Sequence, residues 1–249
     1  GLPAVWVDPR EVMITDATHG AAEPDAEEVA RRAERVLAPL LADGRVPVVG
    51  GFVGSTRGGR TTTLGRGGSD TSAAVIGSAM GAEEIEIWTD VDGLMTADPK
   101  SVEAARTLPR VSFAEAAELA YYGAKVLHPA SIAPAVRRSI PVRVLNSLAP
   151  DRPGTLIVAE AGEASLPIAS VASRADVHVV RVTSKRMRVD PGFLPAVLGA
   201  FDRDGLVPDL VVSSEVAVSA AFPSTTGLDG ARRALEGMAT IEEFPGRAL

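Results

Sequence analysis

Residues 60–71 read RTTTLGRGGSDT, and the reading of this stretch decides the fold. Four threonines, three glycines, two arginines and an aspartate lie between an apolar run, Val46–Val53, and a small-residue run of helical character, Ser72–Ala82. Glycine lets backbone approach a ligand closely because no Cβ intervenes. Arg66 offers a planar fork for a carboxylate or phosphate. Ser69 and Asp70 fall where the helix is expected to begin, and a helix start presents unpaired N–H groups to anions. The pattern points to a site for a small anionic substrate. Standing alone, the run would also suit a Gly-rich hairpin with an N-cap serine.

Working outward, strands and helices alternate. Residues 4–7 and 11–14 read as short strands around Asp8-Pro9. Asp25 caps an expected helix, with Glu28 three residues on and Val29, Ala33, Val36, Leu37, Leu40 and Leu41 on one apolar face. Val46–Gly54 is almost wholly apolar or Gly, as in a strand buried in a parallel sheet, and Ile85–Val91 (IEIWTDV) and Ile140–Leu145 (IPVRVL) read as a second and a third such strand. Ser112 and Glu115 form a capping box, and Pro129 can start a further helix. This spacing predicts an α/β layer with a mainly parallel sheet. Composition shifts at 149–154 and 159–165 place a boundary between domains at 1–159 and 160–249. Beyond it, strands at 177–183, 209–213, 216–222 and 240–244 and helices at 191–203 and 228–238 give the order βαββαβ of small ferredoxin-like domains.

Composition bounds the function. The chain has 249 residues and a net charge of −7, which argues against a general nucleic-acid or anionic-membrane binder. Aromatic content of 4% leaves few stacking platforms for bases. No apolar run reaches the length of a bilayer span. The absence of cysteine excludes disulfides and thiolate chemistry and suits a cytoplasmic protein. His19, His128 and His178 are too scattered in sequence to suggest a metal cluster. Lysine occurs only at Lys100, Lys125 and Lys185, each in or beside a motif, in a chain that otherwise uses arginine.

With those motifs in place, the chain resembles aspartate kinases of the amino-acid kinase family. Gly51–Ala73 (GFVGSTRGGRTTTLGRGGSDTSA), Trp88–Pro99 (WTDVDGLMTADP) and Phe113–Pro129 (FAEAAELAYYGAKVLHP) carry the likeness in order and spacing. Ser184–Leu194 (SKRMRVDPGFL) and Pro208–Ser219 (PDLVVSSEVAVS) resemble an ACT regulatory domain. The resemblance implies an αβα sandwich followed by a ferredoxin-like ACT domain. It also implies transfer of the ATP γ-phosphoryl group to the β-carboxylate of L-aspartate with Mg²⁺, the first step of lysine, threonine and methionine biosynthesis. The residue matching Arg66 holds aspartate, and those matching Ser69 and Asp70 line the transfer site. Thr89, Asp90, Met95, Lys100, Lys125 and Val126 match nucleotide-binding positions. Met95 stands where a tyrosine is common, and Lys100 where an arginine is.

In the ACT region, Met187, Asp190, Phe193, Leu194, Asp209, Ser213, Ser214, Glu215 and Val216 match positions that bind lysine in lysine-inhibited members. Asp190 departs from the expected hydroxyl, so lysine and threonine both stand as effectors. For Met187, Phe193 and Leu194, core packing is an equal alternative. The resemblance further implies a homo-oligomer formed through ACT domains. The family's Lys-Phe-Gly-Gly opening and second ACT domain have no counterpart in these residues, so the chain reads as an internal fragment with little activity by itself. A different kinase of the same fold, of glutamate 5-kinase or uridylate kinase type, would lack the ACT domain. A non-catalytic, amino-acid-binding regulatory subunit would not need Arg66, Asp70, Asp90 and Lys125.

Overall fold

Asp8 and Asp25 fix where the first helices begin. A computed structural model describes residues 1–122, 127–162, 168–172, 174–186 and 191–248. It divides into two compact units, Gly1–Ala172 and Ser173–Leu249. In the first unit, β1 (Ala4–Val7) is followed by α1 (Pro9–Val12), whose cap Asp8 accepts the Arg10 N–H at 2.9 Å. A helical turn thus stands where the sequence suggested a strand over 11–14, and only β2 (Ile14–Thr15) remains extended. Asp25 caps α2 (Ala26–Val36) by accepting the Glu28 N–H at 3.1 Å, as the sequence predicts. The expected single helix breaks at Leu37, and Pro39 lies in the first turn of α3 (Ala38–Ala42), where its missing N–H costs nothing.

The apolar run 46–54 is two strands, not one: β3 (Val46–Val49) and β4 (Val53–Thr56). Between them Phe52 adopts φ 73°, a left-handed conformation that no extended strand accommodates. The run is also not buried on both faces, because Val46 and Val48 are exposed together with Trp6 on the paired β1. β5 (Thr61–Thr63) returns antiparallel to β4, which itself lies parallel to β2. α4 (Gly68–Met80) follows, then β6 (Ile85–Thr89), β7 (Arg110–Ser112) and α5 (Phe113–Tyr122). A 3-10 turn (Pro129–Ile132), α6 (Ala133–Arg137), β8 (Val142–Asn146) and β9 (Thr155–Val158) complete the unit. The capping box at Ser112 forms on both sides: Ser112 Oγ accepts the Glu115 N–H, and Glu115 Oε2 accepts the Ser112 N–H.

The strands of this unit fall into three sheets, β1-β3, β2-β4-β5 and β6-β8-β9-β7, rather than one continuous layer. Parallel pairing joins β1 to β3, β2 to β4, β6 to β8 and β7 to β9, while the β4-β5 and β8-β9 pairs are antiparallel. Helix α4 links two cores. Ala74 packs with Ile85, Ile87, Val142, Val144 and Ile157, whereas its neighbour Val75 packs with Val12, Val29, Ala33 and Leu37. Small residues on most sides of α4 let it sit between them. The boundary read at 159/160 falls instead at 172/173, because Ser170 donates to the Met95 carbonyl at 2.8 Å and the Val171 N–H to the Thr96 carbonyl at 2.9 Å.

In the second unit, β10 (Arg174–Ser184), α7 (Phe193–Arg203), β11 (Leu210–Ser213), β12 (Ala217–Phe222), α8 (Leu228–Leu235) and β13 (Ala239–Ala248) follow in order. The sheet runs β11-β12-β10-β13 with antiparallel neighbours throughout. Val180, Val182, Val218, Ala220 and Phe222 from the strands and Phe193, Val197, Phe201 and Leu235 from the helices make its core. Phe201 and Phe222 meet edge to face at 5.0 Å between ring centroids.

Candidate functional site

The start of α4 is not capped by a serine side chain. Gly67, at φ 67°, is the N-cap residue, and Ser69 and Asp70 stand one and two positions inside the first turn. Among the described residues, the Gly68 N–H reaches the Gly65 carbonyl at 3.1 Å and the Thr71 N–H the Gly67 carbonyl at 2.9 Å. The N–H groups of Ser69 and Asp70 meet no acceptor, which leaves two donors and the positive end of a thirteen-residue helix for an anion.

The backbone here is shaped from several directions. A Cβ on Gly65 would lie 2.8 Å from the Gly20 carbonyl oxygen, and one on Gly68 would lie 2.7 Å from the Phe52 ring. One on Gly51 would come within 3.0 Å of Ser69 Cα. Phe52 donates its N–H to Ser72 Oγ at 3.0 Å, and its carbonyl accepts the Leu64 N–H at 3.0 Å. Ser72 Oγ in turn donates to the Gly68 carbonyl at 2.8 Å. The left-handed strain at Phe52 is thus held by contacts to both sides of the glycine run. The loop 16–23 leans on the same place: Asp16 accepts the N–H groups of Thr18 and Glu23, and the Ala22 N–H reaches the Thr63 carbonyl. The Thr18 hydroxyl first, then the Glu23 and Thr18 N–H groups, hold the Asp16 carboxyl below its usual range.

The side chains on this frame are available. Arg66 and Ser69 are exposed, and Arg66 has no ion-pair partner among the described residues. Asp70 is half-buried, and loss of hydration raises its pKa above the ordinary carboxylate value. A fixed turn with two free N–H donors, an unpaired guanidinium and a hydroxyl suits a carboxylate or phosphoryl group.

A second group forms at the C-terminal ends of parallel strands β6 and β8, the edge at which α/β sheets take ligands. Thr89 Oγ1 donates to Asp90 Oδ1 at 3.2 Å, and Ser147 donates both its N–H and its hydroxyl to the Thr89 carbonyl at 2.8 Å. Asn146 donates to Asp92 Oδ1 at 2.6 Å, and Arg152 pairs with the other oxygen of Asp92. Behind this turn, Gly93 has φ 117° and no space for a Cβ beside Thr155. The buried Thr155 hydroxyl accepts the Leu94 N–H at 2.9 Å and donates to the Leu108 carbonyl at 2.7 Å. Met95 is half-buried, with its carbonyl taken by Ser170, and Lys100 is exposed beyond a turn in which its N–H reaches Asp98. Lys125 and Val126 lie outside the described residues. No hydrogen bond or ion pair among the described residues joins Arg66, Ser69 or Asp70 directly to Thr89 or Asp90. Sequence reasoning missed Phe52, Ser72, Asn146, Arg152 and Thr155, which act through partners remote in the chain.

In the second unit the sequence-predicted effector residues divide. Phe193 is buried at 4% exposure and Leu194 is partly buried against the same core, so packing explains both. Ser213 is exposed at the end of β11, and Ser214, Glu215 and Val216 are exposed on the turn between β11 and β12, where Ser214 Oγ accepts the Ala217 N–H at 3.2 Å. Asp209 is half-buried, and its N–H reaches the Ala221 carbonyl at 2.8 Å. Met187 and Asp190 lie outside the described residues.

The family model described as "Amino acid kinase family" matches residues 1–146. Lysine-sensitive aspartokinase 3 of Escherichia coli (strain K12) is 44% identical over 224 residues, which cover 90% of this chain and 49% of that protein. The structure of E. coli aspartokinase III with lysine and aspartate in its T-state superposes with a TM-score of 0.76 at 41% identity, over 97% of this chain and 55% of that one. The R-state structure of the same enzyme with aspartate and ADP gives 0.71 at 39% identity, over 98% and 56%. The chain spans 49% of the length of that E. coli enzyme and 40% of the length of Aspartokinase 1, chloroplastic, of Arabidopsis thaliana.

Proposed function

We propose a function on one premise: the chain belongs to the amino acid kinase family. On this reading it carries substrate and nucleotide residues of an aspartate kinase, which transfers the γ-phosphoryl group of ATP to the β-carboxylate of L-aspartate. The observation that carries it is the start of α4, where two N–H donors without an acceptor among the described residues stand beside Arg66 and Asp70 in a turn built of glycine. The E. coli relatives whose structures hold aspartate and ADP support the choice of substrates.

The chemistry asks little of the protein beyond placement. An aspartate β-carboxylate is already ionised, so no general base is needed. Its oxygen forms a bond to the γ-phosphorus while the bond from that phosphorus to the β,γ-bridging oxygen breaks, and ADP leaves with the electron pair. Arg66 holds a carboxylate of the amino acid, and the Ser69 and Asp70 N–H groups face the charge that develops during transfer. Thr89 and Asp90 hold the nucleotide at the strand ends, with Met95, Lys100, Lys125 and Val126 completing that side. Asp70 orients the cationic groups near the phosphates. Mg²⁺ brought with the nucleotide would supply charge neutralisation on the phosphates beside Asp70. A cytoplasmic location belongs to the same reading; no helix of the described residues is long and apolar enough to cross a membrane.

The second unit is read as a ferredoxin-like ACT domain, supported by its βαββαβ order and its β11-β12-β10-β13 sheet. Lysine is the first choice of effector and threonine the second, with the ammonium on Asp209 and Glu215. Pairing with a second copy places effector sites at the interface. Aspartate-dependent ADP release and hydroxamate formation by the full-length gene product test the kinase reading. Wild-type-like kinetics in both Arg66→Ala and Asp70→Ala would remove it.

A further inference from the structure

We propose that Ser131 is a positioning residue for phosphoryl transfer: its buried hydroxyl ties the start of α4 to the turn that follows the GAKVLHP stretch. The inference rests on the kinase reading above. It adds a residue that touches neither substrate nor nucleotide.

Ser131 is 1% exposed, and its Oγ donates to the Gly67 carbonyl at 3.2 Å across 64 residues of chain. Its own N–H donates to the His128 carbonyl at 2.9 Å, so it is built into the 3-10 turn. The Gly67 carbonyl needs no further donor, since the Thr71 N–H at 2.9 Å and the Thr71 hydroxyl at 3.0 Å already reach it. The serine is therefore an added tether rather than the sole satisfaction of a buried acceptor. The fit is close: a Cβ on Gly67 would overlap Ser131 Oγ and come within 3.4 Å of His128 Cβ. Left-handed φ at Gly67 and the serine opposite it form one device.

Gly67 is the cap from which the N–H groups of Ser69 and Asp70 project. The hydrogen bond from Ser131 holds this cap, and with it the N–H groups of the substrate side, in register with the rest of the first unit. In-line transfer rewards such registry steeply, because sub-ångström misplacement of reacting groups slows the chemical step without weakening either ligand.

The test is hydrogen–deuterium exchange on the 249-residue chain, following residues 67–72, combined with kinetics of the full-length gene product. Ser131→Ala is expected to speed exchange at Thr71 and Ser72 about fivefold, the loss of one hydrogen bond, and to leave the rest of the first unit unchanged. In the full-length kinase, kcat is expected to fall about fivefold, with KM for aspartate and ATP within about twofold. Ser131→Thr, which keeps the hydroxyl, should restore both. Unchanged exchange at 67–72 overturns the tether whatever the activity. Faster exchange throughout the unit, or failure of Ser131→Thr to rescue, marks plain packing and also overturns it. Changed exchange with unchanged kcat overturns the positioning role. If the wild-type gene product transfers no phosphoryl group to aspartate, the kinase reading falls, and with it the catalytic role; the exchange result still decides the tether.

Discussion

The start of α4 and the turn between β11 and β12 both present hydroxyl and charged side chains to solvent, but they are held in opposite ways. Around Gly67 the backbone is gripped by distant parts of the first unit, Gly20, Phe52 and Ser131, with Ser72 of α4 itself bonded to Phe52. Arg66 and Ser69 remain exposed on that frame. The turn at Ser213–Val216 is held by its own chain, through Ser214 and Ala217, and by pairing of β11 with β12. On the proposed reading the first place serves a transferring group and the second an effector; chemistry on a transferring group needs donors fixed in advance, so rigidity belongs at the first. A site that responds to an effector gains from a segment whose order the ligand can change, so local tethering suits the second. Substitutions at the two places should separate accordingly.

The largest effect is expected from Gly67→Ala. A left-handed φ costs a non-glycine residue about 1–2 kcal/mol, and the overlap with Ser131 adds about 1–3 kcal/mol. Urea unfolding of the first unit should show a loss of roughly 2–5 kcal/mol. An alanine variant as stable as the wild type would mean the frame is looser than its geometry. Arg66→Ala comes next and acts on function alone. If Arg66 holds a carboxylate of aspartate as proposed, the substitution removes a charge-assisted contact worth about 1.5–3 kcal/mol, and kcat/KM for aspartate in the full-length gene product should fall about ten- to a hundredfold. Its unfolding free energy should stay within about 0.5 kcal/mol, since the side chain is exposed and unpaired. Thr155→Val leaves the Leu94 N–H and the Leu108 carbonyl without that partner and should cost about 1–3 kcal/mol in the same unfolding measurement.

These three residues also mark what the sequence could and could not say. Local signals were legible: Asp25 caps α2, Ser112 and Glu115 form their box, and Thr89 and Asp90 end a strand. The order of the second unit was legible because its strands and helices are cleanly separated along the chain. Arg66, Ser69 and Asp70 stood out because glycine, arginine and a helix start coincide. The supports did not, since Ser131 meets Gly67 across 64 residues and Thr155 meets Leu94 across 61, separations at which neither periodicity nor capping leaves a trace. Phe52 was misread for a physical reason. An aromatic residue inside an apolar run favours a strand, and only tertiary contacts hold it at positive φ. The exposed face of Trp6, Val46 and Val48 escaped notice likewise, because composition cannot tell a covered strand from an open one.

Asp70 gives a smaller and pH-dependent contrast. Burial raises its folded-state pKa above 3.8, so between that value and the raised one the native state binds more protons than the unfolded state. Stability contributed by this group therefore falls as pH rises through that window. Asp16 and Asp25 behave oppositely, because hydrogen bonds and Arg57 lower their pKa values, and their contribution is lost as pH falls. Asp70→Asn should accordingly unfold at slightly higher urea than the wild type at pH 7 and at the same urea at pH 3. An asparagine variant less stable at pH 7 would show that the carboxylate is stabilised in the fold and that the sign is wrong.

The smallest effect on folding is expected at the other member of the comparison. Glu215 is exposed on the β11–β12 turn, and among the described residues its carboxylate makes no ion pair. Glu215→Ala should change the unfolding free energy by no more than about 0.5 kcal/mol. If this turn receives the ammonium of an amino-acid effector, the same substitution removes a charge-assisted hydrogen bond worth about 1.5–3 kcal/mol, which weakens calorimetric binding of lysine or threonine by about ten- to a hundredfold. A stability change near zero beside a binding change of that size is the signature of a side chain held in reserve for a ligand, the reverse of Gly67. Equal binding by wild type and Glu215→Ala would leave the turn as a plain connection between two strands. Absence of binding by either amino acid at millimolar concentration would make the second unit a structural module.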